Sequence, residues 1–430
     1  MSERVIRVGL LGCGTVGSAV ARTLHQYVDD IERRAGVRVA ITRVAVLDLQ
    51  RVRDTPLAAD VFTTDGLSIV DDPEIDVVIE LLGGLEPATQ LVLRALAAGK
   101  PVVTGNKELL ASAGAELEAA AHAGGADLAY EAAVAGGIPL IRPLRESLAG
   151  DRVTRMLGIV NGTTNYILTQ MSERGWGFAE ALAEAQRLGY AEADPTADVE
   201  GFDAAAKCAI LASIAFDSRV AAADVYREGI ASVTPQDITD AARLGYVVKL
   251  LAIAELDDGD VSVRVHPAMV PAAHPLASVR DAFNAVFVEA EKAGELMFYG
   301  RGAGGEPTAT SVIGDLIRVA RHLVYGGRMQ GAEGSGLRRQ LRPMADTHGQ
   351  YYLNLHVEDR PGVLAEIAEV FGRHGVSIER VWQEGFGEEA ALVFITHRAQ
   401  EGPFQKTVQE LRERESVRAV VSLLRVEGEE

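Results

Sequence analysis

VIRVGLLGCGTVG, residues 5–17, places a short β-branched apolar run directly before a glycine-rich turn. The run has the length and composition of a strand buried on both faces in a parallel sheet. The residues that follow, SAVARTLHQYVDDIERR (18–34), carry apolar side chains at helical spacing. Gly12-x-Gly14-x-x-Gly17 therefore sits between a strand and a helix, the context a dinucleotide fingerprint requires. Gly12 suits the tight turn, Gly14 the close approach of a pyrophosphate, and Gly17 the packing of helix on strand. Cys13, Thr15 and Val16 complete the turn, and the phosphates are expected at the helix N-terminus. Cys13 reads as a small buried side chain; its other reading is a redox-sensitive thiol close to the cofactor.

Outward from this turn, strand and helix alternate. Strand candidates are VRVAITRVAVL (37–47), VVIELL (77–82) and PVVTG (101–105), with a helix over PATQLVLRALAAG (87–99). The first 130 or so residues thus read as a doubly wound parallel sheet. After the second strand, Asp48 lies 31 residues past Gly17 and can accept from a ribose 2′-hydroxyl, favouring NAD. Arg51 and Arg53 can instead neutralise a 2′-phosphate, favouring NADP, and both readings stand. Lys107 directly follows a predicted strand, at the edge where open parallel sheets bind ligands.

The middle region reads as an α+β domain. RVTRMLGIV (152–160) is a predicted strand, NGTTNYILTQM (161–171) a turn opening a helix, and FDAAAKCAILASIAF (202–216) a long apolar helix. Strands are expected again at 261–265, 284–290 and 295–299. On the long helix, Asp203 and Lys207 stand four residues apart and share a face. Lys207 is surrounded in sequence by alanines, Cys208 and Ile210. A partly desolvated amine suits proton transfer. The loop before it gathers Glu192, Asp194 and Asp198, which read either as a solvated acidic loop or as a pocket for a substrate ammonium group. Residues 326–349 are rich in Gly, Arg and Gln and read as a linker. The last 80 residues give the order βαββαβ, a small independent module.

Composition bounds the function. The chain has 430 residues, enough for two or three domains, and 48% hydrophobic residues. Its formal charge of −19 disfavours nucleic acid and anionic membranes as partners. Two cysteines, Cys13 and Cys208, cannot build a disulfide framework. With no signal-peptide pattern and no apolar run of membrane-spanning length, the expected location is cytoplasmic.

Taken in order, GLLGCGTVG (9–17), TGNKELL (104–110), YEAAVAGGIPLI (130–141), GIVNGTTNYIL (158–168), LGYAEADPTADVEGFDAAAKCAILASIAF (188–216) and GRGAGGEPTATSVIGDL (300–316) closely resemble homoserine dehydrogenase. The final module, with VEDRPGVLAEIAEVFGRHGVSI (357–378), resembles an ACT domain. With no aspartate kinase segment before residue 1, the resemblance is to the monofunctional form. It implies an α/β fold of three parts: a Rossmann-type dinucleotide-binding domain (1–133, with a returning helix at about 306–326), an α+β substrate and dimerisation domain (134–305), and, after a linker at 327–349, an ACT regulatory domain (350–430).

The implied reaction interconverts L-homoserine and L-aspartate 4-semialdehyde with NADP or NAD. By the same resemblance Lys207 is the proton-transfer group and Lys107 lies at the reacting end of the cofactor, binding substrate. Glu192, Asp198 and Asp203 are implied substrate contacts. Thr104, Gly105, Gly162 and Gly304 join the cofactor site, with Asn161 and Thr163 beside it. A monovalent cation, sodium, is implied on Glu131 and the carbonyls of Val134, Gly136 and Ile138. In the ACT module Asp359 and Gly362 border the implied effector site, for L-threonine, and pairing of modules implies a homodimer or homotetramer. Leu47 stands where many members of the family carry an arginine for the 2′-phosphate. Two other readings share much of this pattern: a dehydrogenase of another small semialdehyde, and a non-catalytic amino-acid sensor that keeps the fold.

Overall fold

The computed structural model describes residues 4–327, 339–386 and 389–428. Residues 328–338 of the expected linker lie outside this range. Along the first part of the chain run β1 (Val5–Leu11), α1 (Thr15–Gln26), α2 (Val28–Ala35), β2 (Arg38–Ala45), β3 (Phe62–Thr63), α3 (Leu67–Val70), β4 (Val77–Glu80), α4 (Ala88–Ala97), β5 (Val102–Thr104), α5 (Lys107–Gly124) and β6 (Leu128–Ala129). Then come β7 (Val153–Ile159), α6 (Gly162–Arg174), α7 (Phe178–Arg187), α8 (Thr196–Val199), α9 (Phe202–Ala215), β8 (Tyr226–Arg227), α10 (Pro235–Arg243), β9 (Tyr246–Asp257), β10 (Asp260–Pro271), β11 (Phe283–Ala290), β12 (Gly294–Arg301) and α11 (Gly305–Tyr325). The chain closes with β13 (His348–Glu358), α12 (Val363–Arg373), β14 (Ile378–Phe386), β15 (Glu389–Thr396), β16 (Ala399–Gln400), α13 (Glu401–Arg412) and β17 (Val417–Val426).

Two compact units divide these elements: Met1–Met156 with Ala206–Val225 and Phe283–Arg339, and Leu157–Ala205 with Tyr226–Ala282 and Gln340–Glu430. The first unit holds a six-stranded sheet in the order β3-β2-β1-β4-β5-β6. Its pairings are parallel, β1 lying between β2 and β4. Val77, Val78, Ile79 and Glu80 of β4 are all fully buried, as expected of a strand covered on both faces. Helix α11 returns to this sheet: Val312, Leu316 and Val319 share one apolar core with Ile6, Val8, Leu10 and Val20.

In the second unit a sheet runs β9-β10-β17-β13-β15-β14. β9 and β10 form a long antiparallel hairpin. β17 joins β10 in parallel through Ala268–Arg425 and Met269–Val426. The C-terminal βαββαβ module thus continues the strand layer of the unit's other half rather than hanging from it. Its own core is Tyr351, Leu353, Leu355, Ile367, Phe371, Leu392, Phe394 and Phe404. Among the described residues no helix is long and apolar enough to cross a membrane.

Candidate active site

The first unit builds a dinucleotide cradle from three glycines. Gly12 has φ +96°, and a Cβ there would lie 2.5 Å from the Leu81 carbonyl oxygen. At Gly17 a Cβ would lie 2.3 Å from the Gly12 oxygen, so only glycine lets α1 start this close. Above Gly14 there is nothing within 4 Å of the added carbon, the space a phosphate needs. Helix α1 begins with no side-chain cap and no acid in its first turn. Its orphan amides and dipole therefore favour an anion. Cys13 is buried, its Sγ 3.6 Å from Ser18 Oγ. Gly304, at φ +122°, precedes α11, and a Cβ at Gly305 would meet Thr15 at 3.1 Å.

The loop after β2 separates residues that look alike in sequence. The Asp48 carboxylate accepts the Gln50 amide at 2.8 Å, a local turn. Arg53 folds back, donating to the carbonyls of Asp48 and Arg51 at 2.6 and 2.8 Å, with Phe62 beneath it. Arg51 is exposed, and no described residue bonds its guanidinium. Leu47 is 94% exposed beside it.

At the C-terminal edge of β5, Asn106 caps α5, its Oδ1 accepting the Leu109 amide at 3.1 Å. Lys107 is the first helical residue and is half-buried. Further on, Glu131 is buried and accepts the amides of Leu140, Ile141 and Arg142 at 2.5, 2.8 and 2.9 Å. Its own amide donates to Asp315, whose carboxyl burial raises to about 6. Ala135 and Gly136 are consecutively left-handed, at φ 55° and 40°, and the Gly136 carbonyl accepts from Ser311 at 2.7 Å. The Glu131 carboxylate thus already accepts three amides, and the Arg142 guanidinium stands 4.0 Å from Oε2.

The second unit organises the acids. Asn161 caps α6, its Oδ1 accepting the Thr164 amide at 2.9 Å. The same side chain donates from Nδ2 to Asp198 at 2.6 Å and to Asp203 at 2.9 Å. A Cβ at Gly162 would lie 2.8 Å from the Ala282 oxygen, and Thr163 Oγ1 donates to the Tyr190 carbonyl. The acidic loop resolves into separate roles. Asp194 holds Thr196, Glu192 is exposed, and only Asp198 joins Asn161 and Asp203. Lys207 stands one turn after Asp203 on α9 and is half-buried.

Among the buried polar residues of the strands that the sequence reading did not single out are Lys249 and Glu80. Lys249 on β9 is 2% exposed and donates to Asn165 Oδ1 at 3.1 Å and to the Val279 carbonyl. Burial, followed by Arg280 nearby, lowers it to about 8. The second is Glu80, at the end of β4. The only sequence signal for either is a charge inside an otherwise continuous apolar run.

In the C-terminal module a cavity of about 310 Å³ is lined by Glu358, Asp359, Arg360, Gly362 and Gln383 among others. Gly362, at φ +95°, starts α12 without a side-chain cap. Gln383 Nε2 donates to Asp359 at 3.3 Å.

The glycine cradle at the C-terminal edge of the first unit's parallel sheet has the form of a dinucleotide-binding site. The comparisons agree. Residues 12–131 match the NAD binding domain of homoserine dehydrogenase, 139–317 the homoserine dehydrogenase model, and 351–416 the ACT domain. Homoserine dehydrogenase of Corynebacterium glutamicum is 48% identical over 427 residues, covering 98% of this chain and 96% of that protein. That of Bacillus subtilis is 45% identical, covering 99% of each. The crystal structure of a homoserine dehydrogenase from Thiobacillus denitrificans superposes with a TM-score of 0.94 at 41% identity, over 99% of each chain. A hyperthermophilic archaeal homoserine dehydrogenase in complex with NADPH gives 0.63 at 27% identity, over 74% of this chain and 98% of its own. The chain belongs to the homoserine dehydrogenase family.

Proposed function

We propose that this dehydrogenase interconverts L-homoserine and L-aspartate 4-semialdehyde on the route to threonine, methionine and isoleucine, in the cytoplasm. The observation that carries this reading is Asn161, which gathers Asp198 and Asp203 at the head of the helix that bears Lys207. In the oxidative direction Lys207 takes the proton of the substrate hydroxyl, and in reduction it returns it. The bound nicotinamide cofactor accepts or supplies the hydride. Glu192 binds the substrate ammonium, Asp198 and Asp203 orient the substrate, and Lys107 holds its reacting end. Gly12, Cys13, Gly14, Thr15, Val16, Gly17, Thr104, Gly105, Gly162 and Gly304 make the cofactor site. The exposed Arg51 supports NADP, with Asp48 committed to its own turn.

A monovalent cation of sodium type would bind Glu131 and the carbonyls of Val134, Gly136 and Ile138. The left-handed bend at 135–136 suits this, and a hard cation prefers oxygen. Its role would be structural. The cavity beside Asp359 and Gly362 would take L-threonine as effector, charged groups of both signs matching a zwitterion. A homodimer or homotetramer follows from pairing of such modules. The test is initial rates with homoserine and each of NAD⁺ and NADP⁺, with and without threonine. Turnover favouring NADP⁺ and depressed by threonine is expected. Equal rates with alcohols lacking the amino group would sink the substrate assignment.

A further inference from the structure

β4 is fully buried, and its last residue is a carboxylate where valine and isoleucine fill the other positions. An ionised carboxylate in such a place costs several kcal/mol unless its oxygens are hydrogen-bonded. Glu80 meets that condition with neutral donors. Oε1 accepts the Leu82 amide at 2.8 Å and Asn106 Nδ2 at 3.4 Å, and Oε2 accepts Thr104 Oγ1 at 2.6 Å. Its main-chain carbonyl accepts the Gly105 amide at 3.3 Å.

These bonds close a small lattice. Thr104 Oγ1, whose O–H donates to Glu80, accepts the Asn106 amide at 3.0 Å. Asn106 Nδ2 also donates to the Gly84 carbonyl at 2.7 Å while Oδ1 caps α5. One carboxylate therefore ties the loop after β4 (81–84) to the loop after β5 (105–106). The first of these loops is also what Gly12 approaches so closely. An apolar residue would fill the same volume but could not dictate the orientation of Thr104 or Asn106. The carboxylate is acceptor-only, so it fixes the direction of every bond in the set.

We infer that Glu80 is a positioning residue for the reaction: it orients Thr104 and Asn106 so that Lys107 enters α5 at a fixed place. This rests on the reading of Lys107 as the lysine at the reacting end. Misplacing such a group by about 1 Å lowers turnover by up to about 100-fold while substrates still bind.

The experiment is a double-mutant cycle on the full chain, with Glu80→Gln, Lys107→Ala and both together. kcat, both KM values and the dissociation constant of the dinucleotide are measured for each. Glu80→Gln keeps the shape and turns one acceptor into a donor. We expect kcat to fall about 10–100-fold, with dinucleotide affinity within about threefold. In the Lys107→Ala background the second change should add almost nothing, since a residue acting through another loses its effect when that partner is gone. Losses that multiply, or a loss of dinucleotide affinity matching the loss of kcat/KM, would overturn the inference and leave Lys107 untouched. Wild-type turnover in Lys107→Ala would overturn the reading of Lys107 and the inference with it. Should Glu80→Gln fail to fold, Asn106→Ser keeps a side-chain cap on α5 while removing the Nδ2 bonds to Glu80 and Gly84, and is read in the same cycle by the same criteria.

Discussion

The two compact units each contain a strand followed by an asparagine-capped helix, and the asparagines do different work. Asn106 and Asn161 both accept the amide three residues on, at 3.1 and 2.9 Å. Both turn Nδ2 toward acids. Asn106 meets Glu80, a carboxylate that also accepts an amide and a hydroxyl. Asn161 is shared by two carboxylates, Asp198 and Asp203. The same cap thus serves a closed lattice in one unit and holds two like charges together in the other. In one unit a single amide bridges two carboxylates; in the other a single carboxylate collects three separate donors.

If that contrast is right, Asn161→Ala is the more damaging change. It releases two like charges to repel each other, and kcat/KM for homoserine should fall by on the order of 100-fold or more. Steady-state kinetics with dinucleotide saturating would show it, and a change below threefold would erase the distinction. The Asn161 helix has a further anchor in Lys249, one turn along at Asn165. Burial lowers its folded value to about 8, below that of the unfolded chain, and Arg280, Glu173 and Asp281 face it. Below pH 8 both states are protonated and the cost of burying the charge is constant. Above it the folded state sheds its proton first, so stability rises with pH until the unfolded chain follows near 10.5. Relative to Lys249→Met, wild type should gain roughly 2 kcal/mol between pH 8 and 10.5, the full shift being discounted for relaxation of the site. Denaturant unfolding at several pH values measures this; a flat difference would remove the buried ammonium from the account.

Asn106→Ala should cost about 1 kcal/mol as a lost helix cap and roughly tenfold in kcat, leaving the homoserine KM near wild type. A rise in that KM equal to the one from Asn161→Ala would make the two caps equivalent. The smallest effect belongs to the cofactor loop. Arg51→Ala should lower preference for NADP over NAD about two- to fivefold, as an exposed charge pair allows. Arg53 is committed to its own loop, so Arg53→Ala should change the ratio less than Arg51→Ala does.

The local parts of this design were legible in the sequence. The glycine turn needs only neighbouring residues, and the C-terminal βαββαβ order follows from periodicity; that the helix at 305–325 returns to the first sheet is implied by the resemblance. What escaped depends on pairing across the chain. Asp194 and Asp198 look alike in sequence; Asn161, 37 residues before Asp198, separates them. Glu80 ends a run that reads as an interior strand, and only Thr104 and Asn106, 24 and 26 residues away, give its charge a purpose. β9 went unread altogether, and Lys249 with it, because YVVKLLAIAELD fits a buried helix as well as a strand. Arg51 and Arg53 differ only by a backbone fold that no spacing reveals.

The most direct test concerns proton transfer by Lys207. In Lys207→Ala, single-turnover oxidation of homoserine should slow by about 10²–10⁴-fold while dinucleotide binding is retained. Turnover at the wild-type rate in that variant, with an unchanged pH profile, would contradict the account.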